Sequence, residues 1–386
     1  MAFRPRLFPF YKRSLSRCSI ILQHLRMNSQ AATDEVLLET IGDKGVITLN
    51  RPKALNALNL SMIRTIYPQL KAWEDDPAMK MIMIKGAGNR AFCAGGDIVA
   101  VTEAGKVGDP LSQHFFKEEY ILNNAIGTLH IPFVALINGI TMGGGVGLSV
   151  HGSFRVATEK TLFAMPETDI GLFPDVGGSY FLPRLGGKLG VFLALTGFRL
   201  KGLDVQKAGV ATHYVKSEMV PIIEKELLDL EFPDTGDIAH ILDRYQKETL
   251  TKDGDADFIL KPRMEKINKL FKGDRMEDIF TQLEQDGSEW ALSQLALLKK
   301  MSPTSMKVTL RQINEGGRLS LQDCFQMEYR LSQRFMEDKD FYEGVRAVLL
   351  DKDKKPKWNP DTIKDVSDDH VSHYFSPLPS DQELTL

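Results

Sequence analysis

The sequence has few cysteines. Only Cys18, Cys93 and Cys324 occur among its 386 residues, and no two of them form a Cys-x-x-Cys pair. Three cysteines cannot build a disulfide framework, and without the pair the sequence lacks a common zinc-binding signature. We therefore expect the chain to work in a reducing compartment, without a structural metal ion.

The sequence also lacks an excess of positive charge. Lysine and arginine number 48 against 51 aspartates and glutamates, a formal charge of −3, so nucleic acid is not expected as the main partner. A stretch without Asp, Glu, Lys or Arg runs over residues 121–150, but Pro132, three asparagines and several glycines interrupt it. Such a density of helix breakers favours strand, loop and buried helix over a membrane helix.

Several motifs of common sites are missing. The sequence contains no G-x-G-x-x-G, no G-x-x-x-x-G-K-[ST], no G-x-S-x-G and no H-E-x-x-H. These absences count against a nucleotide-binding Rossmann enzyme, a phosphate-loop protein, an α/β-hydrolase and a zinc peptidase. His370 and His373 form a pair in a polar tail, where solvation is expected rather than metal binding.

The first 33 residues differ from the rest of the chain. They contain six lysines and arginines, several serines and no acidic residue before Asp34. This composition predicts a mitochondrial transit peptide, and a disordered basic tail is the alternative. Its removal leaves 42 basic against 51 acidic residues, a formal charge of −9.

Strand patterns alternate with helical patterns in the first half of the chain. We predict strands at residues 46–49, 81–84, 133–137, 154–157 and 162–165, with helices at 60–73 and 111–129. This order predicts an α/β fold with a mainly parallel sheet.

From about residue 220 the pattern is mostly helical. We predict helices at 224–230, 238–245, 257–271, 276–285 and 322–336, and a surface position for the stretch after residue 352. The predicted organisation is a transit peptide at 1–33, an α/β core at 34–220 and a helical C-terminal region at 221–386.

Three glycine-rich turns follow apolar strands. They are AFCAGGD at 91–97, NGITMGGGVGLS at 138–149 and AMPETDIGLFPDVGGSYFLPRL at 164–185. Glycine lets the backbone approach a ligand closely, so two such turns can supply N–H donors to one carbonyl oxygen. The third turn adds Glu167, Asp169 and Asp175. The alternative is that these glycines only allow tight packing of strand ends.

At these turns the chain resembles the crotonase (enoyl-CoA hydratase/isomerase) family. The likeness also includes RPKALNALN at 51–59, MSPTSMKVTL at 301–310 and EGVRAVLLDKDKKPKW at 343–358, and it spans about residues 34–358. It implies a spiral of repeated ββα units, an acyl-CoA substrate with coenzyme A as part of that substrate rather than a cofactor, and possible homo-oligomers. It also implies that the N–H groups of Gly96 and Gly144 form the oxyanion hole.

One departure from the hydratase pattern is informative. Hydratases carry a glutamate after the triple glycine, where this chain has Gly147, and a second one in Pro-Glu, present here as Glu167. A new acid, Asp175, stands where hydratases have a small residue. This pattern resembles the branch of the family that hydrolyses 3-hydroxyisobutyryl-CoA in mitochondrial valine breakdown. That branch also implies 3-hydroxypropionyl-CoA as a substrate.

The resemblance suggests roles for the acids. Glu167 is expected to attack the thioester carbonyl or to take a proton from an attacking water. Asp175 is expected to orient water, move a proton or hold the substrate's hydroxyl group. Glu119, in the motif KEEY, resembles an acid of the acyl pocket, and an exposed helix position is its alternative. Cys93 is expected to be a buried apolar residue rather than a nucleophile.

Three other functions stay open at this point. A dienoyl-CoA isomerase also carries Glu and Asp in the third turn, but it usually has an acid in place of Gly147 and often ends in a peroxisomal signal, whereas this sequence ends in Leu-Thr-Leu. An enoyl-CoA hydratase needs both glutamates. A non-catalytic coenzyme A- or RNA-binding relative is disfavoured by the acidic charge and by the retained Gly96, Gly144, Glu167 and Asp175.

Overall fold

The computed structural model describes residues 34–386, so the predicted transit peptide at 1–33 lies outside the described residues. This part of the chain forms two β-sheets surrounded by helices. The strands are β1 (Val36–Ile41), β2 (Lys44–Leu49), β3 (Met81–Gly86), β4 (Ala91–Cys93), β5 (Phe133–Ile137), β6 (Ile140–Met142), β7 (Phe154–Ala157), β8 (Leu162–Ala164), β9 (Leu200–Lys201) and β10 (His213–Tyr214).

The strands alternate between the sheets as the chain proceeds. The larger sheet has the order β1-β2-β3-β5-β7-β10, and the smaller sheet has the order β4-β6-β8-β9. Pairing is parallel except for β1 with β2 and β8 with β9. Each of the pairs β3/β4, β5/β6 and β7/β8 thus gives one strand to each sheet, which is the predicted spiral of ββα units with mainly parallel sheets.

Helices follow these strand pairs and make up most of the second half. They are α1 (Leu60–Asp75), α2 (Ile98–Lys106), α3 (Leu111–Gly127), α4 (Gly144–Val150), α5 (Gly178–Phe181), α6 (Leu189–Thr196), α7 (Leu203–Lys207), α8 (Val220–Asp229), α9 (Thr235–Asp253), α10 (Met264–Leu270), α11 (Met276–Asp286), α12 (Glu289–Leu298), α13 (Pro303–Gly316), α14 (Leu321–Glu337), α15 (Asp340–Val345) and α16 (Asp368–Phe375). A π-helical turn at Arg346–Leu350 continues α15.

Most of the predicted elements of the first half are confirmed to within two residues. The central strands are recognisable because both faces are covered: all five residues of β5 are buried, which gives a continuous apolar run. Helix α1 begins where the side chain of Asn59 accepts a hydrogen bond from the Met62 amide, and its apolar face is buried. Strand β1 was not predicted, because most of its residues are partly or fully exposed at the sheet edge.

The prediction of one helix over 257–271 was wrong. Residues 257–260 are not helical, Lys261–Arg263 forms a short 3-10 turn, and within the predicted range only Met264–Leu270 is α-helical. Pro262 sits in the first turn of the 3-10 segment, where its fixed φ angle and missing N–H are tolerated. The helical spacing of apolar residues over 257–271 therefore covers a longer range than the α-helix that forms there.

The hydrophobic core continues across residue 220. One buried cluster combines residues of the first half with residues of α11 to α16, while a smaller one packs the larger sheet against α8 and α9. The segment after residue 352 was predicted at the surface, yet Ile363, Val366, Val371 and Tyr374 are buried. The phenol of Tyr374 donates a hydrogen bond to Asp338 at 2.6 Å, and its ring packs on Phe335. The boundary at residue 220 stays a prediction.

Within residues 34–386, no helix combines the length and the apolar character that crossing a membrane requires.

We expect Phe335→Ala to lower the free energy of unfolding by ~3–5 kcal/mol, the usual loss for a fully buried phenylalanine. Its ring is fully buried, with centroid distances of 5.4 Å to Phe173 and 4.6 Å to Tyr374, so its removal leaves a cavity between these two rings. Urea unfolding measures the change. The matched control is Ile222→Ala at an exposed position, and a loss no larger than in this control would contradict the packing argument.

Candidate active site

The three glycine-rich turns meet at one cavity of about 340 Å³. Its lining includes every residue that the sequence predicted for the site: Gly96, Glu119, Gly144, Glu167 and Asp175. The parallel strands bring the turns together because β4, β6 and β8 are neighbours in the smaller sheet and each turn follows or joins one of them. The structure thus assembles the predicted residues, while their individual roles stay predictions.

The two predicted oxyanion donors lie side by side. A Cβ atom on Gly144 would stand only 3.3 Å from the amide nitrogen of Gly96. The first turn is fixed by Leu58, whose N–H donates to Gly95 and whose carbonyl oxygen accepts from Asp97, both at 2.8 Å. Among the turn and loop hydrogen bonds of the described residues, neither Gly96 nor Gly144 donates its N–H. Both donors are therefore available to one carbonyl oxygen.

Helix α3 packs closely on the glycine face of α4. A Cβ atom on Gly144 would lie 2.6 Å from Glu119 Oε1, and one on Gly147 would lie 2.7 Å from Asn123 Oδ1. Both contacts are shorter than a real Cβ atom makes. At Gly144 the end of the Glu119 side chain would have to move, whereas at Gly147 the Cβ atom of Val176 would also be in the way. Glu119 is 2% exposed, which excludes the alternative of an exposed helix position.

The position of Gly147 is filled rather than open. The space that a side chain would occupy holds the amide of Asn123 and the Cβ atom of Val176, each 2.7 Å from a Cβ on Gly147. A glutamate, as hydratases carry there, would require both neighbours to move. The packing of α3 and of the third turn therefore leaves no space for an acidic side chain at this position.

Glu167 begins a 3-10 turn directly after β8. Its side chain is buried, and a Cβ atom on Gly143 would lie 3.3 Å from its Oε1. Its other oxygen, Oε2, is buried without a hydrogen-bond partner among residues 34–386. The carboxyl group therefore stands beside the second turn, with one oxygen uncommitted.

Asp175 is held from several sides. The phenol of Tyr120 donates a hydrogen bond of 2.9 Å to Asp175 Oδ2. The next residue, Val176, has a φ of +51°, and its carbonyl oxygen accepts a hydrogen bond of 2.7 Å from Nε2–H of His151. Burial lowers the pKa of His151 to about 4, so this imidazole stays neutral. Gln312 of α13 donates to the Pro174 carbonyl oxygen at 2.6 Å.

Burial raises the pKa of all three carboxyl groups of the site. Desolvation is the largest cause for Glu119 and Glu167, and the charge of Asp175 raises both pKa values further. Desolvation also raises the pKa of Asp175, to about 7, although the hydrogen bond from Tyr120 opposes it. Carboxyl groups in this state can donate protons near neutral pH, whereas ordinary surface carboxylates cannot.

Sequence reasoning did not identify Tyr120 or Asn123 as site residues. Both lie on α3 within one helical turn of Glu119, and helical spacing places Asn123 on the same face. The two polar atoms of the Asn123 amide are buried without a partner in the described part of the chain. A prediction of Glu119 could therefore have been extended along its helix.

Other candidate residues do not take part in the site. Cys93 is fully buried, and desolvation raises the pKa of its thiol to about 12, which agrees with the expected structural role. His370 lies 3.5 Å from Asp338, in the C-terminal segment. In the described chain, no group of three or more His, Cys, Asp or Glu residues is arranged to hold a metal ion.

Comparisons with known proteins agree with this geometry. The sequence model of the enoyl-CoA hydratase/isomerase family matches residues 44–375. The Danio rerio protein named 3-hydroxyisobutyryl-CoA hydrolase, mitochondrial, is 61% identical over 372 residues, covering 96% of this chain and 97% of its own. The Homo sapiens protein of the same name is 59% identical over 368 residues, with 95% of each chain covered.

Solved structures show the same fold. A carnitinyl-CoA dehydratase from Mycobacterium thermoresistibile has a TM-score of 0.83 at 36% identity and covers 92% of this chain and 99% of its own. An enoyl-CoA hydratase from Rhodobacter sphaeroides has a TM-score of 0.82 at 35% identity and covers 92% and 100%. The chain therefore belongs to the enoyl-CoA hydratase/isomerase family, the crotonase family that its glycine-rich turns resemble.

Proposed function

We propose that this chain hydrolyses the thioester of 3-hydroxyisobutyryl-CoA to 3-hydroxyisobutyrate and coenzyme A. The observation that carries the proposal is the pairing of Glu167 with Asp175 at the oxyanion donors, with the Gly147 position filled by Asn123 and Val176. Relatives of nearly the same length, at about 60% identity, carry the name of this hydrolase. The product is an intermediate of valine breakdown.

Hydration of an enoyl-CoA is disfavoured by the same observation. A hydratase of this family uses two glutamates on one water, and here the first of them has no side chain and no space for one. A dienoyl-CoA isomerase that keeps an acid at this position meets the same obstacle. The cavity instead gathers three carboxyl groups, those of Glu119, Glu167 and Asp175, beside the two proposed oxyanion donors.

The two amides of Gly96 and Gly144 stabilise the charge that develops on the thioester oxygen. Because both N–H groups are fixed by the surrounding backbone, they do not have to reorganise when the tetrahedral intermediate forms. Gly144 also begins α4, so the partial positive charge of this helix end adds to the stabilisation.

Glu167 supplies the attack on the carbonyl carbon. In its ionised form it either attacks directly, giving a mixed anhydride that water opens, or removes a proton from an attacking water. In both routes the C–S bond breaks, the departing sulfur takes up a proton, and coenzyme A leaves as the thiol. The proposed donor is Asp175, whose pKa is about 7, and it regains its proton from water.

We also assign recognition of the substrate's hydroxyl group to Glu119 and Asp175, which line the same cavity. The Oε1 atom of Glu119 is buried without a partner in the described structure, and such a group gains most when a ligand hydroxyl reaches it. A site built in this way rejects acyl groups that lack the hydroxyl. The proposed substrates therefore include 3-hydroxypropionyl-CoA, which keeps the hydroxyl and lacks only a methyl group.

We also propose that the chain acts in the mitochondrial matrix. The relatives named above are called mitochondrial, and the composition of residues 1–33 predicts a transit peptide. A homo-oligomer stays a prediction from the family likeness.

The unmodified protein should release thiol from 3-hydroxyisobutyryl-CoA faster than from isobutyryl-CoA, and it should hydrate crotonyl-CoA very slowly. Thiol release is followed with a thiol reagent, and hydration by the ultraviolet loss of the enoyl group. Faster hydration than hydrolysis would refute the proposed function. Equal rates of thiol release from 3-hydroxyisobutyryl-CoA and isobutyryl-CoA would refute only the proposed recognition of the hydroxyl group.

Glu167→Gln should lower kcat by ~10²–10⁴-fold, the range for a lost acid–base group, with a much smaller change in KM. The amide keeps the shape of the side chain but cannot attack or accept a proton. Steady-state thiol release measures both constants. The control is Glu118→Gln, which should keep wild-type kcat because Glu118 lies on the outer side of α3 in an ion pair with Arg64. A near-normal kcat in Glu167→Gln would rule out a catalytic role for Glu167.

Asp175→Asn should be inactive yet relatively more stable at high pH. The pKa of Asp175 in the folded protein is about 7, above the ordinary value of 3.8. Preferential protonation of the folded state therefore contributes stability that is complete below the ordinary pKa and is lost as pH rises through about 7. Asparagine does not ionise, so the Tm of the variant relative to wild type should increase between about pH 4 and pH 8.

Thermal unfolding across this pH range tests the prediction. Asp229→Asn, at an exposed ion pair with Lys225, is the control and should show no such trend. A Tm difference that stays constant with pH in Asp175→Asn would mean that Asp175 is ionised throughout the range in the folded protein.

A further inference from the structure

A fourth buried carboxyl group lies behind Asp175. Glu328 of α14 is fully buried, and it accepts hydrogen bonds from the N–H of Gly177 at 2.7 Å and of Ser179 at 2.9 Å. The hydroxyl of Ser179 donates to the same carboxyl group. These three donors follow Asp175 directly, although Glu328 is separated from them by about 150 residues of sequence.

The turn that Glu328 holds has an uncommon backbone conformation. Val176 has a φ of +51°, and Gly177 follows with a φ of +85°. A β-branched residue adopts a positive φ only where its surroundings impose it, and such residues cluster at functional sites. Without an acceptor for Gly177 and Ser179, the two N–H groups would be buried and unpaired, and the conformation would lose its support.

Helix α14 also supports the other contact of Asp175. The ring of Phe325, one turn before Glu328, stacks on Tyr120 with a centroid distance of 5.9 Å and an interplanar angle of 29°. Tyr120 in turn donates its hydrogen bond to Asp175. One face of α14 therefore fixes both the main chain that follows Asp175 and the phenol that binds its side chain.

We propose that Glu328 is a positioning residue for the proposed hydrolysis, holding the turn at residues 176–179 so that Asp175 faces the acyl group. This inference rests on the proposed function, since it assigns Asp175 a part in the reaction. The chemistry of the side chain fits the task, because a carboxylate accepts on both oxygens and the three donors require acceptors only. A glutamine would offer one acceptor and place its NH₂ group against an N–H donor.

The carboxyl group also acts on its neighbours through charge. Burial raises the pKa of Glu328 to about 8, although its three hydrogen bonds oppose the rise, and the charge of Asp175 adds to it. Four other titratable groups face or adjoin this carboxyl group: Glu119, Tyr120, His151 across the Val176 carbonyl, and Cys324. Because the pKa of Asp175 is about 7, Asp175 ionises first, and its negative charge disfavours ionisation of Glu328.

Hydrogen–deuterium exchange of the full-length protein tests, without any substrate, whether Glu328 holds the turn at residues 176–179. In Glu328→Gln, the peptide that contains residues 176–179 should exchange faster than in wild type, while peptides of the larger sheet stay unchanged. Ser179→Ala removes only the hydroxyl donor and should give a smaller change in the same peptide. Glu337→Gln, at the exposed end of the same helix, is the matched control. Unchanged exchange at residues 176–179 in both Glu328→Gln and Ser179→Ala would show that Glu328 does not hold this turn.

Kinetics test the link to catalysis. Glu328→Gln should lower kcat for 3-hydroxyisobutyryl-CoA by up to ~10²-fold, as for a catalytic group displaced by about 1 Å, with KM nearly unchanged. Ser179→Ala removes only the hydroxyl donor and should lower kcat less than Glu328→Gln does.

The outcomes separate this inference from the proposed function. Faster exchange together with wild-type kcat in Glu328→Gln would overturn the positioning role. A wild-type protein that releases no thiol would refute the proposed function itself. The exchange result would then still decide whether Glu328 holds the turn.

Discussion

The close approach of α3 to α4 is the contact on which the site depends. Gly144 and Gly147 present a surface without side chains, and Glu119 and Asn123 lie directly on it. A side chain at Gly144 would displace the Glu119 carboxyl group, and one at Gly147 would displace Asn123 and Val176. The same contact removes water from the carboxyl groups, and the loss of water raises their pKa values. Geometry and acidity in this site thus have one physical origin.

Burying four carboxyl groups close together lowers the stability of the folded protein. Glu119, Glu167, Asp175 and Glu328 are all buried, and burial raises the pKa of each. The second half of the chain compensates for part of this cost: Glu328 receives three hydrogen bonds, and α14 packs its aromatic residues against α3. The helical C-terminal region therefore supports the candidate site, and one buried cluster joins it to the first half of the chain.

Much of this site could be predicted from sequence because its donors lie in short, strongly patterned turns. Gly96, Gly144 and Glu167 each follow a strand of the smaller sheet by two or three residues, and parallel strands bring such turns to the same edge. Asp175 lies further along the turn that contains Glu167. Glu328 gave no such signal, since an acid on an amphipathic helix normally faces water and only the tertiary fold brings it to Ser179. Local spacing carries no information about a contact of this kind.

The errors at the level of elements have similar causes. Strand β1 has too few buried residues to show a strand pattern, and Pro262 divides an apolar pattern that spacing alone extends from 257 to 271. The C-terminal stretch looked solvated because its lysines and aspartates outnumber its apolar residues, yet Val366 and Tyr374 are enough to dock it on the core. Composition averages over residues whose individual burial decides the fold.

The central claim is that one thioester oxygen binds between the amides of Gly96 and Gly144 while Glu167 faces the carbonyl carbon. A crystal structure with a non-hydrolysable ketone analogue of 3-hydroxyisobutyryl-CoA, in which CH₂ replaces the sulfur, tests this most directly. The account predicts the ketone oxygen about 2.7–3.1 Å from both amide nitrogens. It also predicts a Glu167 oxygen, or a water held by it, near the carbonyl carbon and the 3-hydroxyl against Glu119 or Asp175. An analogue whose carbonyl points away from these amides, or whose hydroxyl faces the entrance of the cavity, would contradict it.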